Sequence, residues 1–333
     1  MKEIISDIRN RLSLKSNDSY FILNNRKHNI DPKNFLNSGT STLYSPFGSV
    51  SFIDGGSCTI LSTSDFCFGL IRIVELKIDN AYYENNDSEK KLKTNKKYKK
   101  IYKKDVFVMI TIDNELYNIK TYPKTDLENL KININNPEFS YNNERTIENT
   151  INFIRRILEL EKTLESNSEI VILDGSFDAK NFFEQNIINK IRKRNNINCA
   201  ISKTSRIITD KGNSINYALI SINDANWFYD LKNNENAFIK LNKNSDYVFR
   251  LDILNKFNES IKSVMSYLES ISNDPVFLGY PYYLIETDKL ARISNNEKKA
   301  LFTKSKILLG SDWKKVKRRL NSTNAHEVLD KIS

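Results

Sequence analysis

Apolar residues at Ile4, Ile5, Ile8 and Leu12 recur at helical spacing, so residues 3–13 are predicted to form an amphipathic helix. Strand-like runs follow at 48–54, 57–62 and 66–78, divided by Gly55-Gly56 and by Ser62-Thr63-Ser64-Asp65, which predicts an antiparallel meander. Val106 to Ile112 adds a further strand that ends at the turn signal Asp113-Asn114. Ile147, Ile151, Ile154, Leu158 and Leu164 then mark a helix over about 143–165, followed by a strand at 169–174. A helix at 178–194, strands at 198–203, 216–222 and 246–252 and a helix at 254–271 complete the pattern before Tyr280-Pro281. Proline is tolerated in a first helical turn, so that step opens another helix. Antiparallel strands, then helix, strand, helix and strand, predict an α/β protein. No repeat or linker interrupts the pattern, which favours one continuous domain over 1–333.

Two of the strands carry the same signature. Ile53-Asp54-Gly55-Gly56-Ser57 and Leu173-Asp174-Gly175-Ser176 each place an aspartate and a glycine after an apolar run. The expectation is an acid exposed at a strand end, with glycine allowing a sharp turn that leaves the carboxylate uncovered. Two such acids from distant segments point to a metal-binding catalytic centre.

Composition narrows the chemistry. The chain has 333 residues, 39% of them apolar, enough for a proper core. Its 51 basic against 41 acidic residues leave a net charge of +10, which favours a polyanionic partner such as nucleic acid. Cys58, Cys67 and Cys199 have neither the number nor the spacing of a disulfide framework or a zinc site, which fits a reducing cytoplasm. No signal peptide or membrane-spanning run is expected. The many Asn, Lys and Ile residues are read as genomic nucleotide bias, not as functional signals.

The charge is concentrated between two strands. From Glu89 to Lys104 nine lysines are mixed with Tyr98 and Tyr102, which reads as a basic insertion of about 84–104 projecting from the sheet. Lys96, Lys97, Lys99 and Lys100 are candidates for neutralising nucleic-acid phosphates, and Tyr98 for stacking on bases. A solvated loop is the alternative.

Carboxylates at strand ends, joined by one from the intervening helix, are suited to Mg2+ or Mn2+ and to phosphodiester cleavage without a histidine base. The chain has only His28 and His326, neither near these acids. On the helix Glu148, Glu159 and Glu161 are candidates, with Glu159 favoured because it follows Arg155-Arg156 and precedes the second strand. Lys203 ends its strand where it can hold a scissile phosphate as a point charge. Glu286 and Asp288 lie about 110 residues beyond Asp174 and can join it only through the tertiary fold. Nucleotide-driven motors, dehydrogenases and serine hydrolases are excluded by the absence of GxxxxGK[ST], GxGxxG and GxSxG elements.

Taken in order, several short segments resemble the NurA nucleases: Ile53-Asp54-Gly55-Gly56-Ser57, the arginine-bearing helix with Glu159, Leu173-Asp174-Gly175-Ser176-Phe177, and Ala200-Ile201-Ser202-Lys203-Thr204. Ile239-Lys240-Leu241, Val248-Phe249-Arg250-Leu251-Asp252 and Gly279-Tyr280-Pro281 continue the series. The resemblance covers a core of about 45–295, leaving the N-terminal helix and a C-terminal helical segment of about 295–333 outside it. It implies an RNase H-like mixed sheet with flanking helices and insertions. It also implies a manganese-dependent 5'-3' DNA exonuclease and single-strand endonuclease, with two ions. A homodimer working with a HerA-type hexameric ATPase in DNA end resection and double-strand break repair is implied as well. The metal acids fall on Asp54, Glu159 and Asp174. Where the family has a histidine after the tyrosine-proline step this chain offers Asp288, so a catalytically weakened DNA-binding or docking subunit, with a place in anti-phage defence, is the alternative. The N-terminal helix and the segment around Trp313 to Arg319 are candidate partner surfaces.

Overall fold

The computed structural model describes all residues except 14–17, 24–25, 38–46, 85–92, 131, 137–146, 204–206, 234, 256 and 324–333. Part of the basic insertion, the expected start of the long helix, the end of the C-terminal segment and His326 therefore lie outside the described residues. In chain order the elements begin with α1 (Lys2–Ser13), β1 (Tyr20–Leu23), β2 (Arg26–Asn29) and β3 (Phe35–Leu36). Long strands follow: β4 (Ser49–Ser62), β5 (Phe66–Glu84) and β6 (Lys93–Asp113), then β7 (Leu116–Tyr122) and β8 (Ile132–Asn133). Next come α2 (Ile147–Glu165), β9 (Ile170–Asp174), α3 (Phe182–Arg192) and β10 (Ile197–Ser202). The chain continues through α4 (Ile215–Ile220), β11 (Trp227–Asp230), β12 (Asn236–Lys240), β13 (Phe249–Ile253) and α5 (Phe257–Ser270). It closes with α6 (Tyr282–Ala291), α7 (Asn295–Leu309) and α8 (Trp313–Thr323).

Backbone contacts divide these residues into two units. The larger comprises Phe47–Leu173, Phe177–Asn198 and Tyr283–Ser333. In it β4, β5, β6, β7 and β8 pair antiparallel in succession, and β9 pairs parallel to β4 on the other edge. Ile197 at the start of β10 donates its N–H to Glu169 O at 2.9 Å, beside the start of β9. A meander followed by a helix and a strand parallel to the first meander strand is an RNase H-like mixed sheet. Helix α2 presents Ile147, Ile151, Ile154 and Leu158 at helical spacing, and these pack on Ile71, Ile73, Val106, Val108 and Ile110. Burial of this apolar stripe is the principal stabilisation of the unit. A separate cluster of Ile60, Leu61 and Leu70 seats Leu301, Phe302 and Trp313 of the C-terminal helices.

The smaller unit comprises Met1–Pro46, Asp174–Ser176 and Cys199–Tyr282. Its strands β3, β11, β12, β13 and β10 pair antiparallel in that spatial order. Phe21, Ile215, Leu219, Trp227, Tyr229 and Phe238 fill its core. Ile4, Ile5 and Ile8 of α1 are exposed.

Two sequence expectations change, and the basic insertion takes a definite form. Gly55-Gly56 does not turn the chain: β4 runs through it without a break, and Asp54 sits in mid-strand, buried, instead of at an exposed strand end. The expected strand at 216–222 is helix α4, because the Ser214 side chain accepts the Tyr217 N–H and Ile215, Ala218 and Leu219 bury one helical face. The described part of the basic insertion continues the sheet as the first half of β6, paired with β5 from Glu84 opposite Lys93 onward, which sets aside the solvated-loop alternative.

Candidate metal centre

The alternation of β4 distributes its side chains between two helices. The Phe52 ring lies tilted against that of Tyr283, with centroids 5.3 Å apart, and a Cβ at Gly56 would lie 2.1 Å from Ala291 O, so Phe52, Asp54 and Gly56 face α6. Gly55 and Ser57 face α2: a Cβ at Gly55 would lie 2.6 Å from Glu159 Oε1, and Ser57 Oγ donates to Asn152 Oδ1 at 3.1 Å. The two glycines therefore let one helix approach each face of the strand that carries Asp54.

Asp54 is 7% exposed, and its Oδ1 accepts the Gly55 N–H at 2.8 Å. Ile53 pairs in parallel with Leu173, so the next residue of β9, Asp174, comes level with Asp54. Gly175 then takes φ 139°, a value that suits glycine, and Ser202 Oγ donates to its carbonyl. Lys203 Nζ lies 2.6 Å from Asp174 Oδ2 and 5.3 Å from the Tyr280 ring centre. Helix α6 supplies Asp288, whose Oδ2 is 2.7 Å from Arg292 Nη2 one turn later. Asp54, Asp174 and Asp288 each offer a carboxylate oxygen, and these oxygens lie within 4.8 Å of one another. Lys203 and Arg292 each offset the charge of one of these carboxylates, and three hard carboxylate donors this close suit Mg2+ or Mn2+.

Glu159 is outside this grouping. It is buried on the α2 side, 2.9 Å from Arg155 Nη1 and 3.8 Å from Arg156 Nη1, and Arg155 Nη1 also donates to Gly55 O at 2.7 Å. Glu148 is exposed in the first turn of α2. Glu161 lines a cavity of about 450 Å³ with Ile73, Tyr102, Leu158 and Lys162, and Lys103 and Lys104 both border it. That cavity is on the α2 side of the sheet and is not the carboxylate cluster. Of the basic candidates, Lys99 is ion-paired with Glu286 of α6 and Lys100 with Asp79 at 3.1 Å, while Tyr98 is exposed. Lys96 and Lys97 have their backbone in β6, and their side chains lie outside the described set. Sequence reasoning passed over Arg292, whose i, i+4 spacing from Asp288 was the available signal.

No family model matches the sequence, and no curated protein matches it. Among solved structures, the NurA nuclease from Sulfolobus solfataricus matches with a TM-score of 0.55 at 15% identity, over 93% of this chain and 95% of its own. The chain has a NurA-like fold. Looser matches are human ENDOV, with a TM-score of 0.36 at 8% identity over 78% of this chain and 87% of its own, and endonuclease V of Ciona intestinalis. The latter, solved with inosine-containing DNA, gives 0.37 at 8% identity over 81% and 92%. On this NurA-like fold Asp54 and Asp174 stand on adjacent strands and Asp288 on a later helix. No helix among the described residues is long and apolar enough to cross a membrane.

Proposed function

We propose that this chain is a divalent-metal-dependent deoxyribonuclease whose ion site is formed by Asp54, Asp174 and Asp288. The observation that carries the reading is the convergence of three carboxylate oxygens within 4.8 Å on a NurA-like fold. When bound, Mn2+ or Mg2+, as one ion or a pair, would supply Lewis acidity and a more acidic water. The rigid backbone of β4 and the end of β9 fix two of the carboxylates, so little reorganisation is needed as charge develops. Lys203, held beside Asp174, offers a cation to the scissile phosphate. Glu159 acts from the opposite side of β4, clamping Arg155 onto the Gly55 carbonyl and so holding the strand in place behind Asp54.

The finer reading includes 5'-3' exonuclease and single-strand endonuclease activity, a cytoplasmic homodimer and a HerA-type hexameric ATPase partner in DNA end resection. What supports it is the NurA-like fold together with the order of motifs. The alternative, a DNA-binding subunit with weakened cleavage, is favoured by Asp288 standing in the place expected for histidine and by its ion pair with Arg292.

Assay of the purified chain on single- and double-stranded DNA, with Mn2+, with Mg2+ and with chelator, separates the two. Metal-dependent cleavage that Asp174→Asn abolishes supports the nuclease. DNA binding without cleavage in either metal supports the alternative. Co-purification with a hexameric ATPase at low salt tests the partnership.

A further inference from the structure

The register of the long strands sorts the basic residues of β6 between the two sides of the sheet. Asp54 is opposite Val74, and Val74 is opposite Lys103. Residues directly opposite in antiparallel strands share a face, so Asp54, Val74 and Lys103 form one row, and Phe52, Leu76 and Ile101 form the next. Contacts place this face independently. Lys99, which shares it, meets Glu286 of α6, and Arg72, opposite Asp105, reaches Glu297 of α7. Lys103 lies close enough to Asp105 and Glu297 to help hold their carboxyls down.

Lys104 and Tyr102 belong to the other face. Lys162 of α2 lies 5.6 Å from the Tyr102 ring centre, and Lys104 acts on Glu161 in the cavity beneath α2. The charge of the lysine-rich segment is thus divided, and part of it points away from the carboxylate cluster. On the cluster side Lys99 is taken up by Glu286. Lys103 is exposed and has no ion pair among the described residues, and beside it Ile101 is 48% exposed; the strand register puts both on the cluster side, although both also border the cavity beneath α2. Two strand spacings separate Lys103 from Asp54, roughly 10 Å at the backbone.

We propose that Lys103 is a phosphate contact of the substrate strand, holding the DNA backbone to one side of the bond presented to the carboxylate cluster. Lys104, adjacent in sequence and also exposed, takes no part. The inference rests on the nuclease reading for its substrate, but it is tested by binding alone.

The experiment measures the affinity of the full chain for a labelled DNA duplex by fluorescence anisotropy, in chelator, across a salt series. Lys103→Gln is expected to weaken binding by about three-fold or more and to reduce the slope of log K against log salt by about 0.9, with Lys103→Arg restoring both. Lys104→Gln is expected to leave affinity and slope unchanged. Equal losses in the two glutamine variants, or wild-type binding by Lys103→Gln, would overturn the proposal. A chain that cleaves DNA with both variants equal rejects the Lys103 assignment and leaves the nuclease reading standing. A chain that binds through Lys103 without cleaving rejects the nuclease reading and leaves the assignment. Absence of any DNA binding rejects both.

Discussion

Gly55 lies directly under Glu159, so closely that a Cβ on the glycine would stand 2.6 Å from Oε1 of the glutamate. On the other face of the same strand Gly56 sits under the carbonyl of Ala291, with 2.1 Å for the equivalent contact. The neighbour of Gly56 is backbone, which cannot swing aside as a side chain can. Gly56→Ala is therefore expected to be the more damaging change, with overpacking that costs about 1–3 kcal/mol in urea unfolding. Because it displaces the end of α6, it is expected also to weaken Mn2+ binding through Asp288. Wild-type stability in Gly56→Ala would mean that α6 does not rest on β4 as described.

A second expectation concerns acid stability. Arg72 is 5% exposed and binds Asp105 at 2.7 Å and Glu297 at 2.6 Å, joining β5 and β6 to α7. The Arg72 guanidinium holds both carboxyls below their usual range. A depressed folded value means that this stabilisation is complete above the unfolded carboxyl range of ~4 and is lost as pH falls through the depressed values. Arg72→Met should lower stability at neutral pH and flatten its fall in acid, as followed by thermal unfolding across pH.

Glu161 has the opposite sign. Burial, with Glu165 and Asp126 nearby, pushes its carboxyl up. A raised value favours folding below the unfolded range of ~4 and withdraws that stability as pH rises through the folded value. Glu161→Gln is thus expected to raise the melting temperature at neutral pH and to change it little in acid.

The pair Arg250 and Asp252 is buried on β13. Arg250 Nε and Nη2 donate to Asp252 at 2.7 and 2.9 Å, and Asn236 Nδ2 adds a third bond at 2.7 Å. Removing only the cation leaves a buried carboxylate, so Arg250→Met should cost about 3–5 kcal/mol in denaturant unfolding. Adding Asp252→Leu should recover most of that loss. These residues lie in one of the segments that carried the family resemblance, and their placement gives that segment a structural role in the smaller unit.

Local periodicity made much of the fold legible. The apolar stripe of α2 was readable because the helix buries one face against the sheet, and β5 was readable because its apolar run is buried on both faces. Asp54-Gly55-Gly56 was misread because glycine serves turns and close approach alike, and only the tertiary partners Glu159 and Ala291 distinguish the two uses. Residues 216–222 misled for a related reason: a short apolar run fits a buried strand or a buried helix, and the Ser214 cap decided it. Asp54 and Asp174 were visible in matching strings. Asp288 joins them through a helix more than a hundred residues later, a convergence that no local pattern encodes. The side of the sheet on which each lysine of β6 lies depends on register, which the sequence does not state.

Anomalous diffraction from crystals grown with Mn2+ shows whether Asp54, Asp174 and Asp288 together hold a divalent cation. A manganese peak is expected within coordination distance of all three carboxylates, and it should be lost in Asp174→Asn crystals of the same fold. A saturated crystal with no peak among these residues, or with its manganese bound elsewhere, would contradict it.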